Sequence, residues 1–452
     1  MPDVPWTLRA LRQALADGTT TPSDLAEAAL ARANRNAGHN TYLWQDAAWT
    51  RAEAARAEAM PRGEGGPFGD GRAALWGVPV AVKDCFDLAG TITTCGTHFY
   101  RDRNGTATRD SWLVEQLRSA GAVIVGKTHL HALAYGITGE NPEYGDCVQP
   151  GIPGDGSWSL GWKPRDAGAL TGGSSSGSSA SVQEGSAVAA IGTDTGGSVR
   201  VPAALCGLAG YRATLGRGDW RGGAHLAVSF DTMGWLFRDL RDAPLLAAPF
   251  APAQSPAPQR FARFAYIADS FLGDCEPEVV DAFHTTTRAL QALGLEAQPI
   301  DPPWWAEAVH IFAPLQASEA APFYAAHFDN PKFLPHEKSI VDRLKWGASL
   351  TPGEVADLRR RHDDFRARMD DLFAAHQLIL LPASPVARLA ARADHSQTRN
   401  RLLRYTAPFS LAGVPAVTIP CAHGGMQLAA ALESDESLLA LAARIGTGDR
   451  TL

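Results

Sequence analysis

Residues 171–200 form the most unusual segment of the chain and read TGGSSSGSSASVQEGSAVAAIGTDTGGSVR. A composition rich in glycine and serine is typical of a flexible linker, a phosphate-binding loop or a set of tight turns. The apolar run 187–191 argues against a linker, because a solvated linker has no need of a strand. The segment contains no lysine and no GxxxxGK[ST] pattern, which argues against a phosphate loop. We therefore interpret it as functional turns around a buried strand.

The turn after this strand, Thr195-Gly196-Gly197-Ser198, suits a nucleophilic serine. Glycines allow a backbone to fold so that successive N–H groups point to one spot, which can stabilise an oxyanion. A serine also needs a base to become a nucleophile. None of the thirteen histidines lies in a distinctive context. His129 and His131 form a His-x-His pair without an evident third metal ligand, so we predict a partly exposed pair at the start of a helix and no metal site.

Lys83 is the better candidate for the base. It follows the apolar run 76–82, which is typical of a buried strand, and lysine is rarely buried unless it is paired or catalytic. Burial lowers the pKa of an amine, and serine–lysine pairs are a known variant of the serine triad. An ordinary ion pair between Lys83 and the adjacent Asp84 is the alternative, and spacing alone leaves both interpretations open.

Apolar runs alternate with helical patterns along the chain, which favours an α/β protein with a largely buried sheet. Residues 1–60 are predicted to be helical, with Ser23 capping a helix over 24–33, and residues 277–293 and 354–376 are predicted helices. The extended segment 142–170 is predicted to be a loop near the active site that acts as a lid, a binding loop or a mobile region. The proline- and alanine-rich segment 244–258 is a predicted surface connection, with an inter-domain linker as the alternative. The predicted strands span residues 78–82, 122–125, 187–191, 264–268, 378–381 and 417–420.

Composition excludes several classes of protein. The chain has 452 residues and a net charge of −7 with no basic stripe, so nucleic-acid binding is not expected. No window offers ~18 consecutive apolar residues, so neither a membrane span nor a signal peptide is predicted. Six scattered cysteines without a CxxC pair fit a reducing cytoplasm. Only six of the 41 basic residues are lysines, and Lys83 is one of them.

Three sequence blocks resemble the amidase signature family of serine hydrolases. They are Gly77-Val-Pro-Val-Ala-Val-Lys83-Asp84, Gly172-Gly-Ser174-Ser-Ser-Gly-Ser178 and Gly192-Thr-Asp-Thr-Gly-Gly-Ser198-Val-Arg200. The resemblance spans nearly the whole chain. It implies one domain over residues 1–452, with a central mixed, mostly parallel sheet covered by helices on both faces. It implies no cofactor, and a monomer or a homodimer.

The resemblance also implies a role for each matching residue. Ser198 matches the acyl nucleophile, Ser174 the bridging serine beside a cis peptide bond, and Lys83 the general base. The residues that match the oxyanion-binding backbone are Thr195, Gly196, Gly197 and Ser198. Asp194 and Arg200 match polar positions that brace this loop.

The resemblance implies an amidohydrolase and leaves its substrate open. We expect a hydrolase of small or aryl amides, with carbamates and esters as further candidates. The alternatives are the A-type component of a glutamyl- or aspartyl-tRNA amidotransferase, a non-catalytic binding subunit, and a cysteine hydrolase with Cys85 or Cys206 as nucleophile. We predict substrate contacts from Phe312 and Tyr324. We also predict that Trp158 and Trp162 form an aromatic lid over the substrate. The alternative is that these two tryptophans are packed in a surface loop and have a structural role.

Replacing both Trp158 and Trp162 by alanine is expected to raise KM for aryl amides, because an aromatic lid contributes stacking contacts that a small aliphatic amide cannot use. Steady-state kinetics with an aryl amide and with an aliphatic amide as the control measure this effect. An unchanged KM for the aryl amide contradicts the lid hypothesis.

Overall fold

The computed structural model describes residues 5–61, 68, 73–151, 167–251 and 257–448. The strands in these ranges are β1 (Tyr42–Trp44), β2 (Pro79–Lys83), β3 (Val123–Thr128), β4 (Ala169–Leu170), β5 (Ala189–Asp194), β6 (Ala209–Arg212), β7 (Thr232–Phe237), β8 (Arg263–Ile267), β9 (Glu296–Ile300), β10 (Leu378–Pro382), β11 (Leu389–Ala390), β12 (Ala416–Pro420) and β13 (Gly425–Ala430). The α-helices are α1 (Leu8–Ala16), α2 (Pro22–Arg35), α3 (Ala47–Glu58), α4 (His98–Arg103), α5 (Trp112–Ser119), α6 (Ser176–Glu184), α7 (Arg200–Cys206), α8 (Ala243–Ala247), α9 (Pro277–Ala292), α10 (Ala308–Tyr324), α11 (Lys338–Ser349), α12 (Pro352–His376), α13 (Thr398–Ala412) and α14 (Asp435–Thr447). All six strands predicted from the apolar runs are confirmed, with ends that differ by at most three residues.

Eleven of these strands form one mixed sheet in the order β1-β3-β2-β5-β7-β6-β12-β13-β10-β8-β9. Among the described residues, four neighbouring pairs are parallel, and they form two blocks, β3-β2-β5 and β10-β8-β9. The six antiparallel pairs comprise the whole centre and the β1 edge. The predicted mixed α/β sheet is confirmed, and its parallel pairs lie in these two blocks.

Both faces of the sheet are covered. Every residue of β2, β3, β5, β7 and β13 is buried, although successive side chains in a strand point to opposite faces. Only layers on both sides can bury alternate side chains in this way. No helix among the described residues is long and apolar enough to cross a membrane.

The N-terminal part is helical, as predicted, apart from the short strand β1. The predicted cap of the second helix is wrong by two residues: Thr21, not Ser23, precedes the helix. Pro22 occupies its first turn, where a missing N–H costs nothing. The Thr21 hydroxyl accepts the Asp24 N–H, and the Asp24 carboxylate accepts the Thr21 N–H. This reciprocal pair is a capping box.

The pairing of β2 with β5 positions the residues predicted to be functional. The two strands are parallel and adjacent, with Val82 opposite Ile191. Their carboxyl ends, at Lys83 and Asp194, therefore lie at the same edge of the sheet. In open α/β sheets, this edge is where ligands bind.

The Thr21→Ala variant is expected to lose ~1 kcal/mol of stability, because it removes the helix cap. The matched Ser23→Ala variant, also exposed and two residues away, is expected to stay within ~0.5 kcal/mol of the wild type. Urea denaturation of both variants measures the difference. Equal losses in the two variants contradict the assignment of the cap to Thr21.

Candidate active site

Lys83 is fully buried at the end of β2 and surrounded by hydroxyl groups. Its Nζ donates to Ser174 Oγ at 2.8 Å, to Ser175 Oγ at 3.1 Å and to Thr193 Oγ1 at 2.7 Å. Burial lowers the pKa of this amine to about 8, although nearby acidic groups, including Asp194, oppose the shift. The neutral form of this amine is therefore far more populated near physiological pH than that of an ordinary lysine, although it is still the minority form.

Asp84 does not form the alternative ion pair with Lys83. Its Oδ1 lies 2.6 Å from Lys127 Nζ, and both side chains are buried. Its Oδ2 accepts hydrogen bonds from the backbone and hydroxyl of Thr94. The neighbouring charges are thus paired with each other, and Lys83 remains among hydroxyl groups.

The structure brings Ser174 and Ser198 to the same place. The peptide bond between Gly173 and Ser174 is cis, on the N-terminal side of the serine. The next residue, Ser175, donates its backbone N–H to the Ser198 carbonyl at 3.3 Å. The three residues predicted as a triad therefore lie at the carboxyl edge of β2 and β5.

The turn that carries Ser198 requires both of its glycines. Gly197 has φ of +116°, and a Cβ there would lie 2.8 Å from Thr406. A Cβ on Gly196 would lie 2.7 Å from the ring of Phe312. The turn is thus packed between α10 and α13, and Phe312 of α10 packs against Gly196.

Asp194 fixes the direction of the backbone N–H groups in this turn. Its Oδ1 accepts the Gly197 N–H at 2.9 Å, so the predicted role of Gly197 as an oxyanion donor does not fit this geometry. The N–H groups of Thr195, Gly196 and Ser198 have no acceptor within the described part of the chain. These three N–H groups are the remaining candidate donors to an oxyanion.

Two buried arginines bind Asp194. Arg200 Nε and Nη2 donate to its two oxygens at 3.0 and 2.9 Å, and Arg212 Nη1 donates to Oδ1 at 2.9 Å. Burial opposes ionisation of the carboxyl, but the two positive charges prevail and lower its pKa. Arg200 also donates to the Thr406 carbonyl and to Ser410 Oγ, which ties the turn to α13.

Sequence reasoning missed three of these contacts. Thr193 and Ser175 are adjacent to predicted residues, and their serine- and threonine-rich context was the available signal. Arg212 lies 18 residues after Asp194 on β6, which carries no clear strand pattern. Only the sheet order brings it to the site.

Ser198 opens onto a small pocket. Tyr135, Ile137, Gln316, Arg399 and Leu403 are among the residues that line it. Neither of the predicted substrate contacts on α10 lines this pocket: Phe312 is buried behind Gly196, and Tyr324 packs against Tyr100 and Phe333. Trp158 and Trp162 lie outside the described residues.

The histidine pair is buried rather than partly exposed, so that part of the prediction is wrong, whereas His131 does directly precede a short 3-10 helix, Ala132–Ala134. The Nε2 atom of His129 lies 2.9 Å from the Gly145 carbonyl oxygen. Burial lowers the pKa of His129 to about 4 and that of His131 to about 3. Both rings are therefore neutral near pH 7. Among the described residues, no group of three or more potential ligands is arranged for a metal ion.

The candidate cysteine nucleophiles are buried thiols. Burial raises the pKa of Cys85 to about 11, and the Cys206 thiol donates to the Thr171 carbonyl. A reactive cysteine needs a lowered pKa and access to solvent. The geometry therefore disfavours a cysteine hydrolase.

The Asp194→Asn variant is expected to lose ~3–5 kcal/mol of stability, because it leaves the charges of Arg200 and Arg212 buried without a counterion. The matched Asp219→Asn variant alters an exposed carboxylate beside Arg221 and is expected to change stability by less than ~0.5 kcal/mol. Chemical denaturation followed by circular dichroism measures both. A loss at Asp194 no larger than that at Asp219 contradicts the bracing role.

Comparison with known proteins identifies the family of the chain. The Amidase family model matches residues 24–439. The chain is 30% identical to the indoleacetamide hydrolase of Pseudomonas savastanoi over 93% of its length and 90% of the relative's. It is 31% identical to the A-type component of the glutamyl-tRNA(Gln) amidotransferase of Roseiflexus castenholzii, over 96% of this chain and 94% of that one.

A solved amidase structure shares the fold. It superposes with a TM-score of 0.82 and 28% sequence identity, over 97% of this chain and 98% of the other. The family model, the relatives and the fold thus agree over nearly the full length. The chain belongs to the amidase family and is a hydrolase of carbon–nitrogen amide bonds.

Proposed function

We propose that the chain hydrolyses small or aryl amides through an acyl-enzyme on Ser198, with Ser174 and Lys83 as its proton-transfer partners. The observation that carries this proposal is the buried Lys83 amine, which contacts three hydroxyl groups, and no carboxylate from the described ranges, at the edge where Ser198 lies. A desolvated amine with a pKa near 8 is suited to accept a proton at physiological pH.

The first step transfers two protons. Neutral Lys83 accepts the Ser174 hydroxyl proton while Ser174 accepts that of Ser198, and Ser198 Oγ attacks the amide carbonyl carbon. The carbonyl oxygen becomes an oxyanion, to which the free N–H groups of Thr195, Gly196 and Ser198 can donate. Such donors act without reorganisation because the turn is already fixed by Asp194.

The second step releases the amine. The lysine proton returns through Ser174 to the leaving nitrogen, so the carbon–nitrogen bond breaks without an unstable amide anion. Water then attacks the Ser198 ester, with the same residues accepting its proton, and the carboxylic acid departs. Carbamates and esters present the same carbonyl geometry and are included as further substrates.

Small amides are favoured as the substrate class. The pocket of Ser198 is small and partly apolar, with Ile137, Leu403 and Tyr135 in its wall. The relative from Pseudomonas savastanoi is an indoleacetamide hydrolase, which supports an aryl acetamide as a first substrate to test. Single-domain organisation over residues 1–452 and the absence of a cofactor remain part of the proposal.

A component of an amidotransferase is the second candidate function, favoured by the 31% identity to the Roseiflexus castenholzii protein. In that case, the same serine would release ammonia from an amide for a partner enzyme. The extended segment 142–170 and the His129-Leu-His131 sequence depart from the pattern associated with that component. Hydrolysis of indole-3-acetamide by the isolated chain, compared with that of L-glutamine, distinguishes the two.

The Ser198→Ala variant is expected to lose activity by at least ~10⁴-fold, and Lys83→Ala by ~10²–10⁴-fold, because each removes a reacting group. The Ser181→Ala variant is the matched control, since its hydroxyl donates to the Ser178 carbonyl within α6. Release of ammonia from a panel of amides measures all three. Near-normal turnover by Ser198→Ala contradicts the proposal. A wild-type protein that hydrolyses none of the amides and is not labelled by a sulfonyl fluoride favours a binding subunit.

The pH dependence follows from Lys83. Its neutral fraction grows as pH rises through about 8, so kcat/KM is expected to rise with pH and level off above that value. A profile from pH 6 to 10 with a neutral amide measures the midpoint. A midpoint near 10.5, or a flat profile, contradicts a neutral lysine base.

A further inference from the structure

Two arginines that the proposed chemistry does not use lie beside the pocket of Ser198. Arg399, in the first turn of α13, lines this pocket together with Gln316. The same side chain lines an adjoining cavity of about 430 Å³, to which Arg343 of α11 also belongs. The two guanidinium groups therefore lie near the space in which a substrate of Ser198 would bind.

Their hydrogen bonds leave several donors unused. Arg399 Nη2 donates to Gln316 Oε1 at 3.3 Å, and within the described ranges Arg399 forms no ion pair. Arg343 Nη2 donates to the Tyr135 carbonyl at 2.6 Å, while its buried Nε has no acceptor among the described residues. The fully buried arginines near the site are different, because Arg200 and Arg212 share the carboxylate of Asp194.

The electrostatics point to an anion. Burial and the like charge of Arg343 lower the pKa of Arg399 to about 10, and Tyr135 opposes the shift. The charge of Arg343 is partly balanced by Glu337 and Asp342, but no carboxylate of the described residues acts on Arg399 in this way. Four acidic side chains line the adjoining cavity: Glu140, Asp146, Glu337 and Asp394. None of these four side chains lines the pocket of Ser198.

We propose that Arg399, with Arg343 beside it, binds a carboxylate carried by the substrate, so that the enzyme prefers small amides with one negative charge. A guanidinium is planar and donates two parallel hydrogen bonds to a carboxylate, which fixes the orientation of the bound molecule. An anion bound beside both guanidinium groups also offsets their mutual repulsion. The inference rests on the proposed function, because it takes the pocket of Ser198 as the substrate site.

The test compares each charged amide with a neutral analogue of similar shape. Succinamate is paired with 4-methylpentanamide, and N-acetylglycine with N-isobutylacetamide. The wild type is expected to favour a charged member by ~10-fold or more in kcat/KM, mainly through KM, since charge-assisted hydrogen bonds are strong. Preference for succinamate assigns the carboxylate to the acyl side of the amide, and preference for N-acetylglycine to the leaving-group side. A ratio near one for both pairs overturns the inference.

Two variants test the residue. Arg399→Gln is expected to lower the charged-to-neutral ratio by ~10-fold or more. Arg401→Gln is the matched control: two residues along the same helix, its guanidinium donates to the Asp274 carbonyl, and the ratio should not change. A ratio that Arg399→Gln leaves within twofold of the wild type also overturns the inference.

Direct binding separates this inference from the proposed function. Calorimetry of succinate with the Ser198→Ala variant, with and without Arg399→Gln, reports the anion site without turnover. Succinate binding that depends on Arg399, in a chain that hydrolyses none of the amides, supports the anion site and contradicts the proposed function. Hydrolysis of both amides of a pair at equal rates, with no succinate binding, overturns the anion site and leaves the proposed function standing.

Discussion

The burial of one amine, Lys83 Nζ, with no carboxylate in contact among the residues that the structure describes, is the constraint on which the rest of the site depends. An isolated charged amine is costly to bury, so the group must either be paired or shift its pKa. Here, Asp84 pairs with Lys127 instead, and Lys83 is left with three hydroxyl groups. The fold thus maintains a lysine that can lose its proton near neutral pH. The parallel pairing of β2 and β5 places this amine beside the turn of Ser198.

The second constraint is the rigidity of that turn. A loop with two adjacent glycines would be mobile in isolation, because glycine has many accessible conformations. Asp194 removes this freedom by accepting backbone N–H groups of the turn and by binding Arg200 and Arg212. Arg200 extends the network to α13 and to Gln427 of β13. A buried ion cluster of this kind contributes little net stability, but it specifies one geometry for the backbone N–H groups of the turn.

Much of the site could be predicted from local sequence, and the exceptions have a physical reason. Lys83 was recognisable because a lysine after an apolar run is rare, and Ser198 because its glycine-rich turn follows a strand. The donor role predicted for Gly197 does not fit the structure, because its N–H donates to the Asp194 carboxylate, which Arg200 and Arg212 both bind. The strand β6 reads Ala-Gly-Tyr-Arg and has no alternating pattern, so neither it nor its arginine could be placed before the sheet order was known.

The pKa of the Lys83 amine, measured by ¹⁵N NMR, tests the central claim most directly. The chain has only six lysines, so the Nζ resonance can be assigned by comparison with a Lys83→Arg variant. Titration of the unliganded protein is expected to give a pKa of about 8 for Lys83, well below the ordinary value for lysine. A Lys83 amine with a pKa at the ordinary value of 10.5 would contradict the account.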